Sequence, residues 1–305
     1  MLISDDCSED DSVRVIQTFM RDNPQMQIRL MVNSENQGIV ANKNILIENC
    51  NGEYLMLCDS DDWMADNCLE KIAEVIEKEK PDRIIAAISD IDENGKIIQV
   101  QNIPQNQTKW GWSIHHASAY KVDVIRQHNI RIKDRPDDLY FTIEFAKHCK
   151  KMSCIYEPIY FWFVHFKSEG RRKKDFSSVC PRHLRTLNYI GETAEVIRNE
   201  REYTNRDVEE LRMVMLKFYY FYIFFGLQKH PLKEKLYYYQ IFHNEIVKID
   251  PDYLKNDFLK NDAEPILRAY ALKSIKLFAA LERMKLMKMA IVFYHMVSKF
   301  KYFDQ

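Results

Sequence analysis

Along the first hundred residues, apolar and polar positions change places in short blocks. Residues 1–4 are apolar and run into Asp5-Asp6-Cys7-Ser8-Glu9-Asp10-Asp11, a strand end followed by an acidic turn. Ser8, with Asp11 three residues on, has the pattern of a capping box. Val13, Ile16 and Met20 then recur at helical spacing until Asn23-Pro24 stops them. Residues 28–32 predict a second strand, 33–38 a polar loop, and 40–49 a short helix ending before Gly52. Residues 54–58 are uncharged and apolar, as in a strand buried on both faces. Asp66 opens a helix with Leu69, Ile72, Ala73 and Ile76 on one face, closed by Pro81. Residues 84–88 are strand-like, and Asp92-Glu93-Asn94-Gly95 turns the chain into 96–100. This alternation of strand and helix predicts an α/β layered sheet.

Residues 101–112 form a polar, Asn/Gln-rich linker ending at Trp110 and Trp112. A strand over 114–120 carries His115 and His116, and helices follow over 121–128 and 139–149. Residues 155–165 read as an aromatic strand. The basic segment 167–177 sets the expected boundary between an α/β domain, 1–170, and an all-α C-terminal domain, 171–305. Helices are expected over 183–201, 207–227, 232–248 and 263–302. Residues 218–225 are apolar all round, as in a buried helix.

Composition narrows the class. A net charge of −1 argues against a general nucleic-acid binder. The 7 cysteines are scattered without a CxxC pair, which fits a reducing compartment better than a disulfide frame or zinc site. Asp5 and Asp6 interrupt any apolar leader, and no stretch reaches the roughly 20 apolar residues of a membrane span. The expectation is a cytoplasmic protein.

The acids Asp59, Asp61 and Asp62 fall at the carboxyl end of the 54–58 strand, where open α/β sheets hold ligands. Clustered carboxylates repel one another, so they usually have a cation to hold. A solvated turn with an acidic helix start behind it is the competing reading. Asp137-Asp138, just after Pro136, suits a helix N-terminus as well as catalysis.

Asp5-Asp6-Cys7-Ser8, Asn36-Gln37-Gly38, Asn44, and Asn51-Gly52-Glu53-Tyr54 leading into Asp59-Ser60-Asp61-Asp62-Trp63 resemble, in order and spacing, motifs of the family 2 glycosyltransferases of the GT-A fold. Asp137-Asp138-Leu139-Tyr140-Phe141 looks like that family's "EDxxF" element. Residues from Tyr160 through His165 to Ser168 look like its "YxYRxHxxS" element. The likeness spans residues 1 to about 170. It implies a Rossmann-like sheet that binds a nucleotide-diphosphate sugar, and inverting transfer to an acceptor hydroxyl with Mg²⁺ or Mn²⁺. By this resemblance Asp138 is the catalytic base. Asp61 is the direct metal ligand, joined by Asp59 and His165. Asp6, with Asp5 beside it, contacts the uracil of a UDP-sugar, and Lys43, Asp59, Asp62 and His165 complete the donor site. Lys43 stands where the family usually has Arg, and Phe163 where it often has another, so that second contact is either lost or supplied by Arg171 or Arg172. Trp110, Trp112, His115 and His116 lie where acceptor loops tend to fall, with core burial as the other reading.

Family members begin with a strand and helix of roughly 30 residues ahead of the first acidic motif. A sheet without that strand is expected to leave unpaired edges. An alternative function follows: a truncated, catalytically impaired relative that binds without turnover. Relatives of this kind build capsule, O-antigen or exopolysaccharide on glycan or lipid-linked glycan acceptors. Residues 272–302 carry lysines interleaved with Leu, Phe and Met. They read either as an amphipathic helix lying peripherally on the inner face of the membrane or as a core-packed helix with a solvated lysine face.

Overall fold

A computed structural model describes residues 1–133, 137–164, 176–260 and 269–300. It divides into two compact units: residues 1–88 with 113–161, and residues 89–112 with 162–305. Residues 89–112, read from sequence as part of the α/β domain, thus group with the helical unit. The expected boundary near 170 lies outside the described residues.

The first unit opens with β1 (Leu2–Asp5), α1 (Ser12–Asp22), β2 (Arg29–Val32) and α2 (Ile39–Asn49). It continues with β3 (Tyr54–Met56), β4 (Trp63–Met64), α3 (Cys68–Glu79) and β5 (Arg83–Ile91), whose end passes into the second unit. β7 (Ser118–Lys121), α4 (Val122–Gln127), α5 (Asp137–His148) and β8 (Met152–Phe163) complete it. β5 is buried along its whole length, as a central strand should be. The strand order is β3-β7-β5-β8-β4, with β6 (Ile97–Gln101) hydrogen-bonded to β5. β1 and β2 form a separate parallel pair. Among the described residues, β1 therefore pairs on one side only, as does β3. Leu2 and Val40 pack against the core of Ile47, Leu55, Tyr120, Phe141 and Phe145. Side chains rather than a ladder join β1 to this core.

In the second unit the hairpin β5–β6 turns at Gly95, whose φ of +74° suits glycine. Helices follow: α6 (Phe176–Asn199), α7 (Asn205–Phe221), α8 (Leu232–Ile249), α9 (Ala269–Arg283) and α10 (Met287–Phe300). Thr204 and Asp207 form a capping box that starts α7. Two expectations are corrected here. The 207–227 helix widens into a π-turn over Tyr222–Gly226, where a Cβ on Gly226 would lie 2.3 Å from the Tyr222 ring. The single helix expected over 263–302 breaks into α9 and α10, with Lys285 in the left-handed region at φ +60°. No Gly or Pro marks that break, so its signal was absent from the sequence.

Candidate active site

The site is assembled in the first unit from α2, the loop between β3 and β4, the turn before β7, and β8. The acidic loop closes on itself where the Asp62 amide donates to the Asp59 carbonyl at 3.1 Å. Asp59 then gathers three cationic or titratable partners. Lys43 Nζ lies 2.9 Å from Asp59 Oδ1 and 2.9 Å from His115 Nε2. His116 Nε2 lies 3.1 Å from Asp59 Oδ2 and 3.8 Å from Asp62 Oδ2. The two imidazoles stack at 4.3 Å. They sit side by side because residues 115–118 turn tightly, with Ala117 at φ +52° and the Ser118 amide bonded to the His115 carbonyl.

Tyr160, buried on β8, holds the other side. Its hydroxyl donates to Asp62 Oδ2 at 2.7 Å and accepts the Asp59 amide at 3.3 Å. Its ring meets His116 edge-on. Burial, then the neighbouring Asp62 and Cys58, push the Tyr160 hydroxyl far above its usual range, so it stays a donor. Burial alone would push the Asp59 carboxyl up. Hydrogen bonds from His115 and His116 and the charge of Lys43 outweigh it and hold Asp59 far below the usual carboxylate range. Adjacent residues on β8 face opposite sides, so Phe161 instead stacks on Trp63 away from the acids.

Three successive residues of α2 tie three parts of the unit together. Asn42 Nδ2 donates to the Ser4 carbonyl at 3.0 Å, and Asn42 Oδ1 accepts from Ser4 Oγ and Asn33 Nδ2. Lys43 reaches Asp59. Asn44 pairs with both backbone groups of Ile132, at 2.7 and 2.9 Å. Asp5 accepts from the Ser8 amide and hydroxyl. Asp6 accepts from the Gln37 and Gly38 amides and Asn33 Nδ2, which hold its carboxyl below the usual range against slight burial.

The structure thus brings together Lys43, Asp59 and Asp62 of the residues singled out from sequence. Asp61 lies exposed on the same loop. Asp5 folds back on its own turn through Ser8, and Asp6 is held by Asn33 and the amides of Gln37 and Gly38 in the loop before α2. Asp138 is the second residue of α5, with its side chain outside the described residues, as is all of His165. His115, His116 and Tyr160 were not assigned to the acid cluster from sequence, although the adjacent histidines were a visible signal. Trp110 and Trp112 are core residues, 2% and 3% exposed, and Trp110 Nε1 donates to Asp207. Asp59, His115 and His116 each offer a ligand atom within 4.8 Å of the others, the one such group of three among the described residues.

Residues 1–138 match the family model described as Glycosyl transferase family 2. EpsH of Bacillus subtilis (strain 168), a glycosyltransferase by name, is 22% identical over 201 residues, covering 58% of this chain and 56% of that protein. A glycosyltransferase of Haemophilus influenzae is 34% identical over 71 residues, covering 23% of this chain and 28% of that protein. The chain spans about half the length of the first of these relatives and less of the second. Among solved structures, S. aureus TarS 1–349 in complex with UDP-GlcNAc superposes with a TM-score of 0.66 at 13% identity, over 97% of this chain and 82% of that one. The complex with UDP gives 0.64 at 14% identity, over 100% and 82%. The fold is therefore GT-A, as the motifs implied, with the helical C-terminal region that the periodicity predicted.

Proposed function

We propose that this chain, whose residues 1–138 belong to family 2 of the glycosyl transferases, moves a sugar from a nucleotide-diphosphate donor to an acceptor hydroxyl with inversion. The observation that carries the reading is the gathering of Asp59 and Asp62 with Lys43, His115 and His116 at the carboxyl end of β3, all within the stretch that matches the family model, and closed from β8 by Tyr160. A UDP-sugar is the favoured donor, since the structurally similar TarS has been solved with UDP and UDP-GlcNAc. The acceptor would be a glycan or lipid-linked glycan in surface polysaccharide synthesis.

Within this reading Lys43 and the two histidines fix the Asp59 carboxylate in its ionised form, ready to accept from a ribose hydroxyl. Tyr160 orients Asp62. Asp138 takes the acceptor proton on the far side of the sugar. The oxygen donors of the loop suit a hard divalent cation. Lys43 already balances one oxygen of Asp59, so the exposed Asp61 would be the main ligand, with Asp59 supporting and His165 joining it. Mg²⁺ or Mn²⁺ bound there would stabilise the charge of a departing diphosphate.

The test is turnover of UDP-sugars with Mn²⁺, in wild type and in Asp61→Ala and Asp138→Asn. Loss of turnover in both variants, with UDP binding kept in Asp138→Asn, is the expected result; unchanged turnover in both overturns the assignment. The internal pairing of Asp59 with Lys43 favours one alternative, a domain that holds nucleotide without turnover. Stabilisation by UDP with no transfer or hydrolysis in the wild-type chain would select it.

A further inference from the structure

Helix α10 is apolar on both of its sides. Its inner side buries Met287 and Ile291, each 1% exposed. One helical turn apart on the opposite side stand Met289 (68% exposed), Phe293 (65%) and Met296 (49%). A surface helix normally turns polar residues outward, so this stripe is out of place against water. It has neighbours of the same kind. Tyr294, next to Phe293, meets the Phe225 ring, and Phe225 packs on Phe221; both phenylalanines are about half exposed.

The charge around the stripe has one sign. Across 271–298 the cations are Lys273, Lys276, Arg283, Lys285 and Lys288, and the acid is Glu282. Glu282 does not reach the surface. Its carboxylate is buried against Tyr239 at 2.9 Å and His243 at 2.8 Å. Among the described residues, Lys276, Arg283 and Lys288 hydrogen-bond to neutral oxygens, those of Lys260, Leu254 and Gln240. Their charge is therefore not cancelled within these helices.

We propose that the outer side of α10 docks on an anionic lipid bilayer, with Met289, Phe293 and Met296 at the level of the acyl chains and Lys285 and Lys288 at the headgroups. Exposed apolar side chains gain by leaving water, and flanking lysines gain from the negative surface potential. A second copy of the chain fits less well. A two-fold contact through this stripe would bring together two surfaces of the same positive sign. No described helix is long and apolar enough to cross a membrane, so the contact is peripheral. The proposal stands independently of the sugar-transfer reading.

The experiment is flotation of the full chain with vesicles of phosphatidylcholine alone or mixed with phosphatidylglycerol. The wild-type chain floats with the mixed vesicles and much less with the neutral ones. Met289→Ser/Phe293→Ser/Met296→Ser lowers partitioning by about tenfold or more. Lys285→Glu/Lys288→Glu lowers it by about thirtyfold or more on anionic vesicles. These side chains are exposed, so circular dichroism should be unchanged; if the serine variant melts, the charge variant still decides. Failure of the wild-type chain to float with anionic vesicles overturns the proposal, as does flotation unaffected by both variants. A dimer in light scattering that the serine variant splits, without flotation, also overturns it and assigns the face to a second copy.

Discussion

Replacing Lys43 by Met keeps most of the aliphatic stem and deletes the charge. Lys43 is 9% exposed at the side chain, Asp59 29%, and their charged atoms stand 2.9 Å apart. At an effective dielectric of 20 such a pair attracts by about 6 kcal/mol, an upper bound before desolvation is counted. Breaking a buried pair costs about 3–5 kcal/mol. Asp59 keeps His116 at 3.1 Å and some water, which places the expected loss near the low end, about 3 kcal/mol. Urea unfolding at pH 7 measures it. Asp59→Asn in the same background removes the stranded charge and should recover about half of the loss, a coupling that a double-mutant cycle isolates. The pH dependence gives a second check. The folded-state pKa of Asp59 lies below its unfolded value, so its contribution is full above the unfolded pKa and is lost as pH falls through the folded one. Lys43→Met raises the folded pKa. The stability gap between the two proteins should therefore shrink as pH falls through the carboxylate range. A loss below about 0.5 kcal/mol, or no coupling in the cycle, would refute the ion-pair account.

Tyr160→Phe should cost about 1–3 kcal/mol, because it strands the buried Asp62 carboxylate, and circular-dichroism melts would read it. Asp6→Ala should speed hydrogen exchange at the Gln37 and Gly38 amides with little effect elsewhere, since Asp6 accepts from both. Lowering pH through the depressed pKa of Asp6 should lower the protection factors of the same two amides in the wild-type protein, taken against the intrinsic rate at each pH. Gly191→Ala, in α6, would ordinarily stabilise a helix by about 1 kcal/mol. Here the new Cβ would lie 2.1 Å from Ile249 Cγ2 on α8, so a net loss of about 1–3 kcal/mol is expected in denaturant titrations.

Much of the α/β layer was legible because its strands are short apolar runs between polar turns. The 54–58 run with its trailing acids marked β3 and the loop after it, and Val13, Ile16 and Met20 marked α1. The length of β5 exceeded the reading because Ser89 and Asp90 look like a strand end. Both are buried, Asp90 taking a hydrogen bond from Gln101. Lys43 was singled out only through the motif. Its contact with His115 spans 72 positions, and no local pattern encodes such a distance. Asp59 and Asp62 were expected to meet an ion or a sugar; that Tyr160 and the histidines also engage them had no local signal, because strand neighbours remote in sequence decide what a carboxylate meets.

The Asn42-Lys43-Asn44 turn of α2 has a mechanical meaning. Neighbouring side chains on a helix point about 100° apart, so these three grip the β1–β2 pair, the acid loop and the Ile132 segment like spokes from one hub. With no hydrogen-bonded ladder joining β1 to β3, any roll of this helix about its axis would be passed to all three at once. The short helix is the crank of the first unit, and a single-residue insertion within it would throw every spoke off its rim.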